Sequence, residues 1–409
     1  MNRYNVWNKW GKLKTVMLGQ QYPVEFFRDI KNDKIRSALC RITEETYEDL
    51  EGYERVLKEF GCRVLRPQLD SNDSIMNYTD DEGRLSLVPR SPLQPRDTQI
   101  VLGNKLFFTG TDHMAIVKEL LNYNIEDILM IQPTPLELQQ WEVDVRNNQF
   151  ANIRNYRYNE YLDSHDYTSD KYDYFGDILR RGIPYIDAPS MTLLGRDLYV
   201  DNRVDRPKYL DNWEETKALA IGLEIFESHP YIKTNFRVNE VNIGGHNDAC
   251  FNVFKEGALL SLYDVQDYNK TFPNWDVLYL PKARANIGEF ESNKWVMKGS
   301  WWTPDRDDNP ELKHFVDTWL SKWVGYCQET VFDVNSLALD EHHLCVSQMN
   351  PEVNAFLKKH KVEPVYIPWR HRYFWDGGLH CITLELEREG EQEDYFVGCR
   401  RSAVSCQGF

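Results

Sequence analysis

The chain contains no Cys-x-x-Cys pair. Its eight cysteines, Cys40, Cys62, Cys250, Cys327, Cys345, Cys381, Cys399 and Cys406, are scattered. That spread removes the usual signature of a zinc site and of a disulfide-stapled fold. Reduced thiols in a cytoplasmic setting are the expectation. A basic excess is missing as well. Lys and Arg number 48 against 64 Asp and Glu, a net charge of −16. A protein that tracks a phosphate backbone needs clustered cations, so no nucleic-acid partner is expected. No apolar run approaches the roughly 18 residues of a membrane span, so no membrane partner is expected either. Residues Met1 to Trp7 carry no signal-peptide core. What the chain does have is apolar substance. It is 42% hydrophobic and 13% aromatic over 409 residues, which suits a large packed core and argues against disorder. Length alone allows two or three domains. No clear linker divides the chain, and a single domain over 1–409 is expected.

The local pattern is strand, turn, strand, helix, strand, several times over. Leu13 to Leu18 reads as a strand ended by Gly19. Tyr47, Leu50, Tyr53, Leu57 and Phe60 recur every three or four residues, which predicts a helix over 44–60. Gly61 closes it, and 62–65 reads as a strand. Short strands at 99–102 and 105–108 flank Gly103-Asn104, a hairpin signal. Similar hairpins are predicted at 193–200, 249–262 and 336–346. Helices are predicted at 113–121, 213–226 and 351–360, and a strand at 365–367. The stretch 139–174, rich in Tyr, Asn and Asp, has weak periodicity and reads as an insertion. A recurring unit of this kind implies a modular α/β architecture.

The stretch Trp375-Asp376-Gly377-Gly378-Leu379-His380-Cys381 leads into a run that alternates toward Leu384 and Leu386. Glycines allow a tight backbone approach. A thiol where a flexible turn meets a rigid strand is well placed for a nucleophile. A buried small hydrophobe is the other reading of Cys381. Polar residues stand before three hairpins: Asp97, Asp187, and the His246-Asn247-Asp248 run. On an extended segment His246 and Asp248 face one side. An imidazole near a thiol can exchange protons with it, and a carboxylate such as Asp187 can fix its tautomer. Each of these residues is also an ordinary loop, turn or cap residue.

Taken together, the motifs resemble those of the amidinotransferases of the guanidine-modifying superfamily, the glycine and inosamine-phosphate enzymes. They are Pro95-Arg96-Asp97-Thr98 with Val101-Leu102-Gly103-Asn104, then Asp187-Ala188 before Gly195-Arg196-Asp197, and His246-Asn247-Asp248-Ala249 with Phe251-Asn252. Ser321-Lys322-Trp323 and Gly377-Gly378-Leu379-His380-Cys381 complete the set, in the family order from about residue 6 to 390. The resemblance implies a five-bladed α/β propeller of ββαβ modules, the pentein fold. It implies Cys381 as nucleophile, His246 as general acid/base and Asp187 as the carboxylate that orients it. It implies Asp97 and Asp248 as the pair that grips a guanidinium, which carboxylates bind in bidentate fashion. The substrates so implied are L-arginine as donor and an amine as acceptor, with ornithine released and no cofactor or metal. A homodimer is the assembly considered. Two departures stand out. Asp376 replaces the first of the family's three glycines, and Ser261-Leu262-Tyr263-Asp264-Val265 lacks the arginine that holds a substrate carboxylate. An arginine-deiminase-like hydrolase with water as acceptor is the alternative, and a guanidine-binding protein without catalysis is the third reading.

Overall fold

The computed structural model describes residues 4–28, 30–67, 93–97, 99–108, 128–130, 186, 188–201, 223, 226–241, 243, 246–262, 268–280, 309–320 and 331–396. The predicted helix at 113–121 and the insertion at 139–174 lie outside them, as do Asp187, Ser321-Lys322-Trp323 and most of 213–226.

The described strands form five three-stranded sheets of one plan. The first strand of each runs antiparallel to the second, and the third runs parallel to the second. In chain order the strands are β1 (Leu13–Leu18), β2 (Arg63–Leu65), β3 (Gln99–Leu102), β4 (Lys105–Phe108) and β5 (Ile128–Met130). Then come β6 (Met191–Leu194), β7 (Asp197–Asp201), β8 (Arg237–Val241), β9 (Phe251–Lys255) and β10 (Ala258–Ser261). The last are β11 (Asp276–Tyr279), β12 (Leu337–Asp340), β13 (His343–Val346), β14 (Glu363–Tyr366) and β15 (Thr383–Arg388). Four sheets take three successive strands. The remaining one draws on both ends of the chain, in the order β15-β1-β2. There β15 lies antiparallel to β1, with Leu18 opposite Thr383.

A parallel step between neighbouring strands needs a crossover, and helices supply it. The Asp33–Glu59 helix carries β1 to β2. It begins eleven residues earlier than its clearest apolar stripe predicts. Asn32 caps it, its side chain accepting from the backbone N–H of Lys34 and Ile35. Ile35, Leu39 and Ile42 extend the buried face of Leu50, Tyr53 and Leu57. The Pro351–Lys359 helix makes the same step from β13 to β14.

The inner strands are buried on both faces, so their sequences read as near-continuous apolar runs. Alternate residues serve different cores, because successive side chains point to opposite faces. On β3, Ile100 and Leu102 join a core with Leu193 and Leu198, while Val101 joins another with Met17 and Leu384. On β10, Leu259 packs with Leu194 and Tyr199, while Ala258 and Leu260 pack with Ala338 and Leu344. Leu13, Val16 and Leu18 share a further core with Leu337, Leu339 and Cys345.

The hairpin at Gly103 shows why the turn residue is fixed. Its φ is +64°, and a Cβ there would fall 2.5 Å from the Trp7 ring and 2.7 Å from the Tyr231 hydroxyl. Gly52, inside the Asp33–Glu59 helix, has nothing within 4 Å of the same point. Gly103→Ala is expected to destabilise by about 2 kcal/mol or more from strain and overlap. Gly52→Ala is expected to stabilise by about 0.5–1 kcal/mol through lower unfolded-state entropy. Urea unfolding of both variants checks the pair; effects of the same sign would contradict this account of the turn.

Candidate functional site

In four of the five sheets a described polar residue stands just ahead of the first strand. Asp97 ends a short 3-10 turn before β3. Asp187, outside the described residues, is next in sequence to the Ala188–Ser190 turn before β6. Asp248 lies in the helical turn Asn247–Cys250 before β9. Asn335 follows the Val331–Val334 turn before β12. Cys381 lies two residues ahead of β15. The repeat thus delivers a described side chain from four of the five modules to the same end of its sheet.

The structure brings Cys381 and Asp248 into contact. The Cys381 thiol lies 3.6 Å from Asp248 Oδ2, and both side chains are buried. Asp248 Oδ2 also takes the Nδ1 side of His380 at 2.8 Å. Asp248 Oδ1 is buried and has no hydrogen-bond partner among the described residues. Asp97 is close enough for its charge to act on the thiol. His246 caps the Asn247–Cys250 turn through its backbone, and its charge acts on Asp248. The extended geometry expected for His246 and Asp248 is not found. Residues 247–250 form one helical turn, because Asn247 is drawn inward by bonds from its Nδ2 to Thr192 Oγ1 and the Tyr199 carbonyl. His246 and Asp248 are therefore not neighbours on one strand face.

The Cys381 turn is fixed from several sides. Its approach, Arg372–Trp375, ends at Asp376 with φ +52°, a left-handed residue that usually favours glycine. The Trp375 indole donates to Thr46 Oγ1 at 2.8 Å, and the Trp369 indole donates to the Gly377 carbonyl at 2.8 Å. Gln94 Nε2 donates to the Trp375 carbonyl at 2.6 Å. Gly378 presses on Asn335, where a Cβ would come within 2.7 Å of the amide oxygen.

Beneath the turn lies a buried charge cluster that sequence reasoning missed. Glu385, on β15, pairs with Lys9 at 3.1 Å, with Arg388 at 3.2 Å and with Arg96. Arg96 also donates from Nε to the carbonyls of His380 and Thr383, both at 3.2 Å. This ties the turn bearing Asp97 to the turn bearing Cys381. His380 Nε2 lies 3.7 Å from Glu385, so its ring stands between two carboxylates. The available signal was a lone glutamate inside the apolar run Ile382-Thr383-Leu384-Glu385-Leu386.

Electrostatics follow from these contacts. Burial pushes the Cys381 thiol well up, and the charges of Asp248 and Asp97 push it further. Bonds from Asn335 and the Gly378 backbone oppose them. Burial alone would raise Asp248, but the His380 bond and the charges of His380, Arg96 and His246 hold it well below the usual carboxylate range. Glu385 is depressed in the same way against burial, chiefly by Lys9 and Arg96. Lys9 is lowered to about 8, first by burial and then by Arg96 and Arg388 against the pull of Glu385. A deprotonated Asp248 beside a protonated thiol is the resting state these shifts describe.

Among the described residues, no group of three His, Cys, Asp or Glu is placed to hold a metal ion. No described helix is long and apolar enough to cross a membrane. Cys40, Cys62, Cys345 and Cys381 are free thiols.

Glu385→Gln removes the shared anion of three buried cations. It is expected to cost about 3–5 kcal/mol at pH 7. Adding Lys9→Met should recover part of that loss. Glu385 and Asp248 both have depressed folded pKa values, so their stabilisation is complete above their unfolded pKa of about 4. It is lost as pH falls below that toward the depressed values. Urea unfolding between pH 3 and 7 should show this acid limb flattened in Glu385→Gln. A cost under about 1 kcal/mol would remove the cluster from the account of stability.

Comparison with known proteins was informative in sequence and in fold. No protein-family model matches the chain. Mitochondrial glycine amidinotransferase from Xenopus laevis is 22% identical over 395 residues, covering 92% of this chain and 74% of that protein. The L-arginine:L-lysine amidinotransferase of Pseudomonas savastanoi pv. phaseolicola is 24% identical over 221 residues, covering 52% and 47%. Among solved structures, the chain is similar to an amidinotransferase from the Microseira wollei saxitoxin biosynthetic pathway, with a TM-score of 0.58 and 16% identity over 96% and 99% of the two chains. It is also similar to inosamine-phosphate amidinotransferase from Streptomyces griseus, with a TM-score of 0.54 and 17% identity over 97% and 99%.

Proposed function

We propose that the chain is an amidinotransferase, a reading that its similarity to known amidinotransferases supports, and that it moves the amidino group of L-arginine to an acceptor amine through a covalent intermediate on Cys381. The observation that carries the reading is the buried thiol against Asp248, whose second oxygen has no described partner. A buried, ionised carboxylate with spare acceptor capacity calls for a cationic donor. A guanidinium is planar, cationic and rich in N–H groups, and carboxylates suit it in bidentate fashion. Asp97 is the second carboxylate for that cation.

The proposed chemistry follows from the charges. The free thiol is held protonated by burial and by two carboxylates. A bound guanidinium offsets those carboxylates and favours the thiolate, the thiol proton passing to His246. The thiolate attacks the central guanidinium carbon and forms a C–S bond. His246, oriented by Asp187, protonates the δ-nitrogen as its C–N bond breaks, and ornithine leaves. The acceptor amine then gives a proton to His246 and attacks the same carbon. The C–S bond breaks and the thiolate is restored. We read the five modules as one catalytic domain over 1–409, closed as a propeller. Each successive pair of sheets shares a core, and the fifth shares one with the first. The cytoplasm is the setting this reading assumes, with a homodimer as the assembly to be sought.

Incubation with arginine, with and without a panel of amines, is the direct test. Ornithine is expected only when an amine is present. Citrulline from arginine alone would establish the hydrolase instead, and binding with neither product would establish the guanidine-binding protein. Cys381→Ser is expected to abolish turnover while unfolding at nearly the parent urea concentration; persistent turnover would refute the nucleophile assignment. Asp97→Asn is expected to weaken arginine binding by roughly tenfold or more, as loss of a charge-assisted pair should. Calorimetric titration reads that directly, and unchanged affinity would take Asp97 out of the site.

A further inference from the structure

The amide of Asn335 touches the sulfur that the proposed reaction uses. Asn335 is fully buried. Its Oδ1 accepts from the backbone N–H of His380 at 2.9 Å and of Cys381 at 3.0 Å. Its Nδ2 donates to Cys381 Sγ at 3.0 Å and to the Asp248 carbonyl at 3.1 Å. The orientation of the amide is dictated by these partners. Two backbone N–H groups can be met only by the oxygen, so the NH₂ group must face the sulfur. Nothing at this position can turn to present an acceptor instead without orphaning buried donors.

The residue is itself held. Its backbone N–H donates to the Val331 carbonyl at 2.7 Å. Asn252 Nδ2 braces the same turn by donating to the carbonyls of Val334 at 2.9 Å and Ser336 at 2.6 Å. Gly378 leaves room for the amide where any side chain would collide with it. Asn335 also occupies in its module the position that Asp97, Asp248 and Cys381 occupy in theirs. Around the thiol the neighbouring carboxylates oppose negative charge on sulfur, whereas this amide is a neutral donor that favours it.

We propose that Asn335 is a catalytic residue: its Nδ2 donates to the Cys381 thiolate, both when the sulfur is about to attack and when it is expelled as leaving group. The same side chain fixes the sulfur toward Asp248 by holding the His380 and Cys381 amides. The role in turnover rests on the amidino-transfer reading above. The effect on the thiol stands on geometry alone, and the two can be tested apart.

Asn335→Asp keeps the shape and the oxygen that receives the two amides, but replaces the NH₂ facing sulfur with an acceptor. Asn335→Ala removes both. The readout is the rate of iodoacetamide labelling at Cys381, followed by peptide mass spectrometry across pH. In both variants the midpoint of labelling should move up by about one to two units, with labelling at pH 7 slowed roughly tenfold or more. The kcat for ornithine release should fall with little change in KM. A folded variant with the parent midpoint would overturn the proposal, since a merely structural role lowers stability without moving that profile. Should both variants fail to fold, the parent protein decides. The Asn335 side-chain amide resonances should titrate with the labelling midpoint of Cys381, and resonances that stay fixed through it would overturn the proposal. A shifted labelling profile, in a protein whose parent makes no ornithine with any amine, would uphold the thiol–amide bond and defeat the transfer reading.

Discussion

The antiparallel pairing of β15 with β1 is the constraint on which the site depends. β15 begins two residues after Cys381, so its register against β1 fixes where the thiol stands. Leu384 and Leu386 then face the core shared with Val101 and Leu106, while Ile382 joins the core with Leu13 and Leu337. A slip of one residue would exchange those faces and turn Glu385 into an apolar core. Glu385 thereby reports the register. Its carboxylate reaches Lys9 and Arg96, on other segments, in the observed alignment.

The charge cluster under the thiol links packing to chemistry. Arg96 neutralises Glu385 and at the same time binds the carbonyls on either side of the Cys381 turn. Its neighbour in sequence, Asp97, points its charge at the thiol. Two adjacent residues therefore divide two tasks, one holding the turn from below and the other setting the field at its mouth. His380 makes a comparable division with Cys381, filling the gap between Asp248 and Glu385 while its neighbour carries the sulfur. The cost of burying so many charges is offset by their mutual pairing, which makes each member dependent on the rest.

Much of the framework was legible in the sequence, and the reasons are local. The β1 run, the Gly103-Asn104 hairpin and the Pro351–Lys359 helix follow from apolar periodicity and turn chemistry. The first half of the Asp33–Glu59 helix was less legible, because its buried Ile35, Leu39 and Ile42 are interleaved with charged residues. The β15–β1 pairing could not be read at all, since no local signal couples segments at opposite ends of a chain. Cys381 and Asp248 were found through their motifs, and the structure sets them in contact. The strand geometry expected for His246 and Asp248 failed because Asn247 binds inward and winds the segment into a turn. Asn335 was overlooked although it holds the same place in its module as Asp97 does in its own. An amide before a hairpin looks like any turn residue until its four partners are known.

The module that presents the thiol is assembled from segments at opposite ends of the described chain, and this bears on how the protein is made. During synthesis β1 emerges early and waits with one edge unsatisfied, while the modules that follow can fold as they appear. The sulfur meets Asp248 and Asn335 only after β15 has left the ribosome and zipped onto that waiting edge. A partly made chain therefore carries the carboxylates without the thiol. The contact of thiol, carboxylate and amide comes into being as the closing event of folding.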